Sequence, residues 1–493
     1  MPTRDEQIAA LRLDVRDLPD PLPIPVIDHP FNATIRPPGS KSITNRALLL
    51  AALADGTSTL RGPLIDADDA QVMLAAIERL GARVEVQRAP SASSGSGSEL
   101  DTLRITGVKG RWKIFPGQTV TLNLHNAGTA TRFLTAAAIL APPGTSIVID
   151  GDARMRERPI ADLADALRTL GVTVEYLGTS GCPPLRITPP DDLKSLASSV
   201  TFDDPKSSQF ISAIMLIAPF LAKPTTIQVR GQLISEPYIA MSRDLLSRLL
   251  SKQSGPMLSE TRAGDTTSFV TPTHRLKAFM LDIEPDASGA TYFEAAAALV
   301  PGARTTIRGL DLGPRASLQG DTRFVSVLTA AGATVERLDN ALRVTGPRPP
   351  ATLQPLALVL DDMPDTAMTA AVLACFAAAT PANPQAIGEL RGLRTLRVKE
   401  TDRLAALQTE LTKLGVRIEI FREGNDEGLR ITPPRHLDTS TPRHLTFDTY
   451  NDHRMAMSLA LIGLRAPGVL IRNPRCVAKT YPTFWQDFAT LYS

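Results

Sequence analysis

Cations beside hydroxyls and glycines recur in this chain wherever a short β-type run gives way to a helix-like one. In Arg36-Pro-Pro-Gly-Ser-Lys-Ser-Ile-Thr-Asn-Arg46, two prolines and Gly39 hold a turn, and Lys41, Ser42 and Arg46 lead into an apolar run over 47–53. Free backbone N–H groups at a helix start, next to Lys and Ser, make an anion cradle; a solvated turn capping a helix would use the same residues. The stretch is not a P-loop, because the first glycine would have to stand at Ile35. Asn126-Ala-Gly-Thr-Ala-Thr-Arg132 sets Gly128 at another helix start, as a cap or as a second anion contact. Arg154-Met-Arg-Glu-Arg158 precedes Pro159, which aims Arg158 at the loop end of a helix, unless the run is simply solvated charge. Ser207-Ser208-Gln209 opens a strongly apolar helix, and Ser235-Glu-Pro-Tyr238 occupies the corresponding loop further on. Their hydroxyls suit capping or a ligand's phosphate, and Tyr238 alone reads as a half-buried packing residue.

The second half carries carboxylates among its cations. Asp365 follows Pro364 at the start of an apolar helix, as an N-cap or as a base adjusted by a neighbouring lysine. Arg397-Val-Lys-Glu-Thr-Asp-Arg403 has five charges in seven residues. Lys399 and Arg403, four apart, share a face if a helix has begun there. Glu400 between them fits proton transfer in an anionic site, and equally a solvated ion-pair face. Asn451-Asp-His-Arg-Met-Ala-Met457 offers Arg454 as an anion fork, with His453 read as structural, and Lys479 sits in the last such loop. Lys41, Arg46, Arg132, Arg158, Lys399, Arg403, Arg454 and Lys479 therefore all fall on strand-to-helix loops, although the net charge of the 493-residue chain is only +2. If these loops share one cleft, it would focus small, multiply charged anions. No dinucleotide fingerprint or metal-ligand spacing occurs, so neither cofactor nor metal is expected. Cys182, Cys375 and Cys476 are too scattered for a disulfide framework.

The elements that must position these groups repeat. A helix-like run ends in Gly and a β-type run follows at Leu80-Gly-Ala-Arg-Val-Glu85, Leu170-Gly-Val-Thr-Val-Glu175, Ala331-Gly-Ala-Thr-Val-Glu336 and Leu414-Gly-Val-Arg-Ile-Glu419. Each has its own return strand, such as Leu185-Arg-Ile-Thr188. The spacing of the glycines leaves room for one degenerate copy, from Thr226-Ile-Gln-Val-Arg230 to Ser268-Phe-Val-Thr271, whose Gly stop has decayed into Ser251-Lys-Gln-Ser-Gly255. A sixth unit starts at Gly468 and runs out of chain after one helix. Its missing strands are expected from the N-terminus, at Pro23-Ile-Pro-Val-Ile27 and Ala33-Thr-Ile-Arg36. The expected fold is α/β: two closed domains of three strand-helix-strand-strand repeats, with helices packed inside short sheets. One domain comprises 21–38 plus 285–493, closed by both chain termini, and the other comprises 39–284. Residues 1–20 form an N-terminal extension and 88–101 a flexible Ser/Gly insert. The stretch from Arg36 to Arg46 is then one of two crossings between domains, which would make the position of Lys41 depend on domain closure. The chain lacks a signal-like start and any apolar run of membrane length, so a cytoplasmic protein without a membrane or nucleic-acid partner is expected.

Taken together and in order, Pro38-Gly-Ser-Lys-Ser42, Asn126-Ala-Gly-Thr129, Arg154-Met-Arg-Glu-Arg-Pro159, Ser207-Ser-Gln209, Val398-Lys-Glu-Thr-Asp-Arg403 and Asn451-Asp-His-Arg-Met-Ala-Met457 resemble the signatures of the 5-enolpyruvylshikimate-3-phosphate synthase family. The resemblance runs from about residue 30 to the C-terminus. It implies two inverted α/β domains with the active site in the cleft between them. It also implies transfer of an enolpyruvyl group from phosphoenolpyruvate to the 5-hydroxyl of shikimate 3-phosphate, through a tetrahedral adduct, by a monomer. Carried over by motif, Lys41, Gly128, Arg158, Gln209, Arg403, Arg454 and Lys479 would contact phosphoenolpyruvate. Lys41, Ser42, Arg46, Ser207, Ser208, Gln209, Ser235, Tyr238, Asp365 and Lys399 would contact shikimate 3-phosphate. Asp365 is expected as the base at the hydroxyl with Lys41 assisting, and Glu400 as the group that moves a proton at the methylene carbon. A bare Gly128 also leaves room for glyphosate, which is then expected to compete with phosphoenolpyruvate. Phe133, Thr395 and Glu294 depart from the family's usual residues. Two rivals are the sister transferase acting on UDP-N-acetylglucosamine, whose loop cysteine has no match here, and a non-catalytic anion-binding module.

Overall fold

A computed structural model describes residues 2–89, 100–310, 317–434 and 444–493. Most of the Ser/Gly insert, 90–99, lies outside the described residues. The chain forms two compact units, Met1–Pro38 with Pro285–Ser493 and Gly39–Glu284.

Among the described residues, five of the six sheets follow one four-stranded plan. In the sheet of 119–188, strand Thr119–Asn123 runs parallel to Ser146–Asp150, which pairs antiparallel with Leu185–Thr188, itself paired antiparallel with Thr173–Tyr176. Parallel neighbours need a crossover, and helix Gly128–Ala137 supplies it. A second helix, Ala161–Leu170, then leads into the closing hairpin. The unit therefore holds two more elements than the strand, helix, strand, strand pattern read from the sequence: a parallel edge strand and a buried helix come before the strand that pattern starts from. The degenerate copy is a complete unit, its extra hairpin strand being Ser259–Ala263. The four stop glycines, Gly81, Gly171, Gly332 and Gly415, all have φ between 80° and 101°, a left-handed turn closed to most side chains.

The sixth sheet needs a correction. Leu22–Ile24 completes it by pairing antiparallel with Val469–Ile471, which lies parallel to Leu445–Phe447. The second N-terminal piece does not join it: strand Asn32–Ile35 lies parallel to Arg304–Arg308 in another sheet of the same unit. Likewise, Met280–Asp282 lies parallel to Thr57–Arg61 in the unit of 39–284. The strand that precedes each unit's first buried helix in sequence is thus lodged in the other unit's sheet. Local pattern cannot reveal this, because register depends on the distant partner.

The crossover helices form the cores. Every residue of Gly128–Ala137, Ala287–Leu299, Ala367–Cys375 and His453–Gly463 is buried, and their many alanines, glycines and threonines let helices approach closely on all sides. One of these buried helices carries a carboxyl, Glu294. It lies inside Ala287–Leu299, is 3% exposed, and makes no hydrogen bond among the described residues. Burial pushes its carboxyl from the ordinary 4.5 up to about 8. Between those limits the group is neutral when folded and ionised when unfolded, so the folded state holds the extra proton and rising pH favours unfolding. We expect this group to cost about 1.4 kcal/mol of stability per pH unit in that window. Denaturant unfolding of wild type and Glu294→Gln at several pH values from about 5 to about 8 checks it: the substitution should flatten the fall in stability.

Candidate active site

In the unit Gly39–Glu284, the chemistry collects where helices begin. Lys41 opens helix Lys41–Leu53, and its Nζ lies 3.4 Å from Asp69 Oδ2. Arg46, one turn on, is buried. Its Nε donates to Ser242 Oγ at 2.7 Å, its Nη1 to the Ser42 carbonyl at 2.9 Å and its Nη2 to the Tyr238 carbonyl at 2.8 Å. Its guanidinium also lies over the Phe133 ring, 5.2 Å from the centroid. Burial pushes Arg46 down to about 10. These contacts make Arg46 a tie between Ser42 and helix Glu236–Lys252. Ser235 itself sits at φ 50°, a left-handed conformation uncommon for serine, at the start of that helix.

Arg158 is a buried cation of the same unit. It is 7% exposed, and no carboxylate pairs with it among the described residues. Its Nη1 donates to Asn126 Oδ1 at 3.0 Å, while its buried Nε has no partner among the described residues. The guanidinium rests on Gly128: a Cβ there would come within 2.8 Å of Arg158 Nη2. Ser207 caps the next buried helix by accepting from the Gln209 backbone N–H, with buried Ser208 as its first residue, and Gln209 Nε2 donates to Thr129 Oγ1 at 3.3 Å. Gly128, Arg158, Ser207, Ser208 and Gln209 therefore form one connected group. Arg132 is turned to structure, donating to the Pro159 carbonyl at 2.9 Å.

The other unit gathers its charges around one arginine. Arg403, 1% exposed, donates through Nε to Asp452 Oδ2 at 2.8 Å, through Nη1 to Asp365 Oδ1 at 3.0 Å and through Nη2 to Glu400 Oε2 at 3.0 Å. Burial opposes its charge, but Asp452, Glu400 and Asp365 outweigh that and raise its pKa. Asp365 also accepts from Arg454 Nη2 at 2.9 Å, with Lys399 Nζ 3.5 Å away, and Lys479 Nζ stands 3.9 Å from Glu400 Oε1. Burial lowers the Lys399 pKa, with Asp365 working against it. Asp365 lies in the turn Pro364–Thr366 ahead of helix Ala367–Cys375, and its carboxylate faces these cations instead of capping the helix. Lys399 does not share a helical face with Arg403, because that helix begins only at Arg403.

Several members of this cluster escaped motif reading. Asp452 caps helix His453–Gly463 by accepting from the Arg454 N–H and binds Arg403 with both oxygens. Asp321 accepts from Ser288 Oγ beside Arg454; burial first and the Asp365 charge second push it up to about 7. Arg397 joins Asp402 Oδ2 at 2.6 Å to Glu427 Oε1 at 2.7 Å, fixing the turn that carries Lys399 and Glu400. The signal for Asp452 was a count: buried cations this dense require acids close by.

The motifs sit on the fold of a known family. The family described as EPSP synthase (3-phosphoshikimate 1-carboxyvinyltransferase) matches residues 27–488. The chain belongs to the EPSP synthase family. Among curated relatives, a 3-phosphoshikimate 1-carboxyvinyltransferase of Laribacter hongkongensis is 42% identical, over 94% of this chain and 97% of its own. One from Ralstonia nicotianae is 40% identical, over 92% and 96%. A solved EPSP synthase from Acinetobacter baumannii shares the fold with a TM-score of 0.68 at 23% identity, covering 94% of this chain and 96% of that chain.

Proposed function

We propose that the chain transfers the enolpyruvyl group of phosphoenolpyruvate to the 5-hydroxyl of shikimate 3-phosphate and releases phosphate, as a cytoplasmic monomer without a cofactor. The observation that carries this reading is the convergence of Arg403, Arg454 and Lys399 on Asp365, with Glu400 held by Arg403 beside it. Asp365 takes the proton of the 5-hydroxyl, with Lys41 assisting, while Glu400 delivers a proton to the methylene carbon. The alkoxide oxygen bonds to C2, giving the tetrahedral adduct. Removal of a methyl proton by Glu400 then expels phosphate and restores the double bond. Arg403 and Arg454 bind the phosphoenolpyruvate carboxylate with Lys479. Drawing them toward the substrate strips Asp365 of two counter-charges and makes it a stronger base when the hydroxyl is in place. Ser42, Ser207, Ser208, Gln209, Ser235, Tyr238 and Lys399 hold shikimate 3-phosphate, with Arg46 fixing Ser42 and Tyr238 from behind.

Arg158, Gly128, Gln209 and Lys41 complete the phosphoenolpyruvate set. The test is Gly128→Ala. Its methyl group would push the Arg158 guanidinium aside, so we expect KM for phosphoenolpyruvate to rise about tenfold with KM for shikimate 3-phosphate little changed. Glyphosate should compete with phosphoenolpyruvate in the wild type and bind more weakly to the variant. Unchanged kinetics in the variant would remove Gly128 and Arg158 from the site.

A further inference from the structure

Residues 2–20, which no motif accounts for, are built into the Pro285–Ser493 unit. Helix Arg4–Leu11 packs on helix Phe484–Ala489, and Leu11 and Leu18 are fully buried in the core. Arg475 Nη2 donates to the Leu18 carbonyl at 2.9 Å, and Gln486 Nε2 to the Leu13 carbonyl at 3.4 Å. Strand Leu22–Ile24 pairs antiparallel with Val469–Ile471, Leu22 opposite Ile471. Two more steps along that register set Asp20 opposite Asn473.

Asn473 is where this segment reaches the candidate site. It stands at φ 46° as the residue before the 3-10 turn Pro474–Lys479, which ends on Lys479. Asp20 Oδ1 accepts from its backbone N–H at 2.9 Å, and its side-chain Nδ2 donates to Asn451 Oδ1 at 3.1 Å. Asn451 and Tyr450 are consecutive left-handed residues, and Asp452, which binds Arg403 and caps the helix of Arg454, follows at once. Backbone held in such conformations persists when its surroundings fix it. One chain of bonds thus runs from Asp20 through Asn473 to the loops that carry Lys479 and Arg454.

We propose that Asp20 is a positioning residue for Lys479 and Arg454, so that the N-terminal segment serves the reaction through Asn473. This rests on the reading that these two cations hold phosphoenolpyruvate. The test is steady-state kinetics of the full chain. Asp20 is exposed, so its replacement leaves the core intact. Asp20→Ala should raise KM for phosphoenolpyruvate about threefold to tenfold, the scale of one lost hydrogen bond, with KM for shikimate 3-phosphate unchanged. Asp20→Asn keeps an acceptor oxygen and should restore the wild-type value. An Asp20→Ala enzyme within twofold of wild type, or one whose two KM values rise together, overturns the proposal. Lys479→Met run in parallel separates the levels: a raised KM for phosphoenolpyruvate there beside an unaffected Asp20→Ala defeats this inference alone. An unaffected Lys479→Met removes the reading beneath it as well.

Discussion

Asp365→Asn should lower kcat by about a thousandfold, within the range that general-base catalysis supplies, while leaving the protein folded. The substitution keeps the side chain's shape and one acceptor oxygen, so Arg403 retains a partner there. Arg403 also keeps Asp452 and Glu400. What is lost is the group able to take a proton. KM for phosphoenolpyruvate should fall or stay level, because Arg454 and Arg403 no longer have to leave a carboxylate to meet the substrate. A pure binding role for Asp365 would show the reverse pattern, a raised KM for shikimate 3-phosphate at nearly unchanged kcat. Steady-state kinetics with each substrate varied in turn separates the two.

Arg403→Leu should be the most damaging single change to stability in the Pro285–Ser493 unit. The guanidinium is almost wholly buried and sits among Asp365, Glu400 and Asp452. Asp452 is fully buried and depends on Arg403 for its charge partner. Removing one partner from a buried ion cluster costs about 3–5 kcal/mol, because the remaining charges stay desolvated. Denaturant unfolding should show that loss, and activity should vanish in the fraction that folds. Arg403→Lys restores one charge without the fork, so it should recover stability in part and activity little. A variant as stable as wild type would mean that the cluster is neutralised in another way.

Much of the site could be read from the chain because its residues lie in contiguous motifs. Lys399, Glu400 and Arg403 are neighbours in sequence and remain neighbours in space, and glycine stops mark four of the six repeats. Reading failed where meaning depends on a distant partner. The direction of the Asn32–Ile35 strand is local, but its sheet is decided by Arg304–Arg308, some 270 positions on. Local pattern left Asp365 as either a helix cap or a base, and the cations that its carboxylate faces, Arg403 and Arg454, come from other elements. Arg46 could be read as a ligand of the site, but not as the group that donates to Ser242, Ser42 and Tyr238, two of which lie nearly 200 residues away. Asp20 had no motif at all; strand register alone brings it to Asn473.

The measurement that bears most directly on the whole account is phosphate release from phosphoenolpyruvate, followed with and without shikimate 3-phosphate. The account predicts release only when both are present, with one enolpyruvyl ether formed per phosphate. Release in the absence of shikimate 3-phosphate, release driven instead by UDP-N-acetylglucosamine, or binding of both anions without turnover would contradict it.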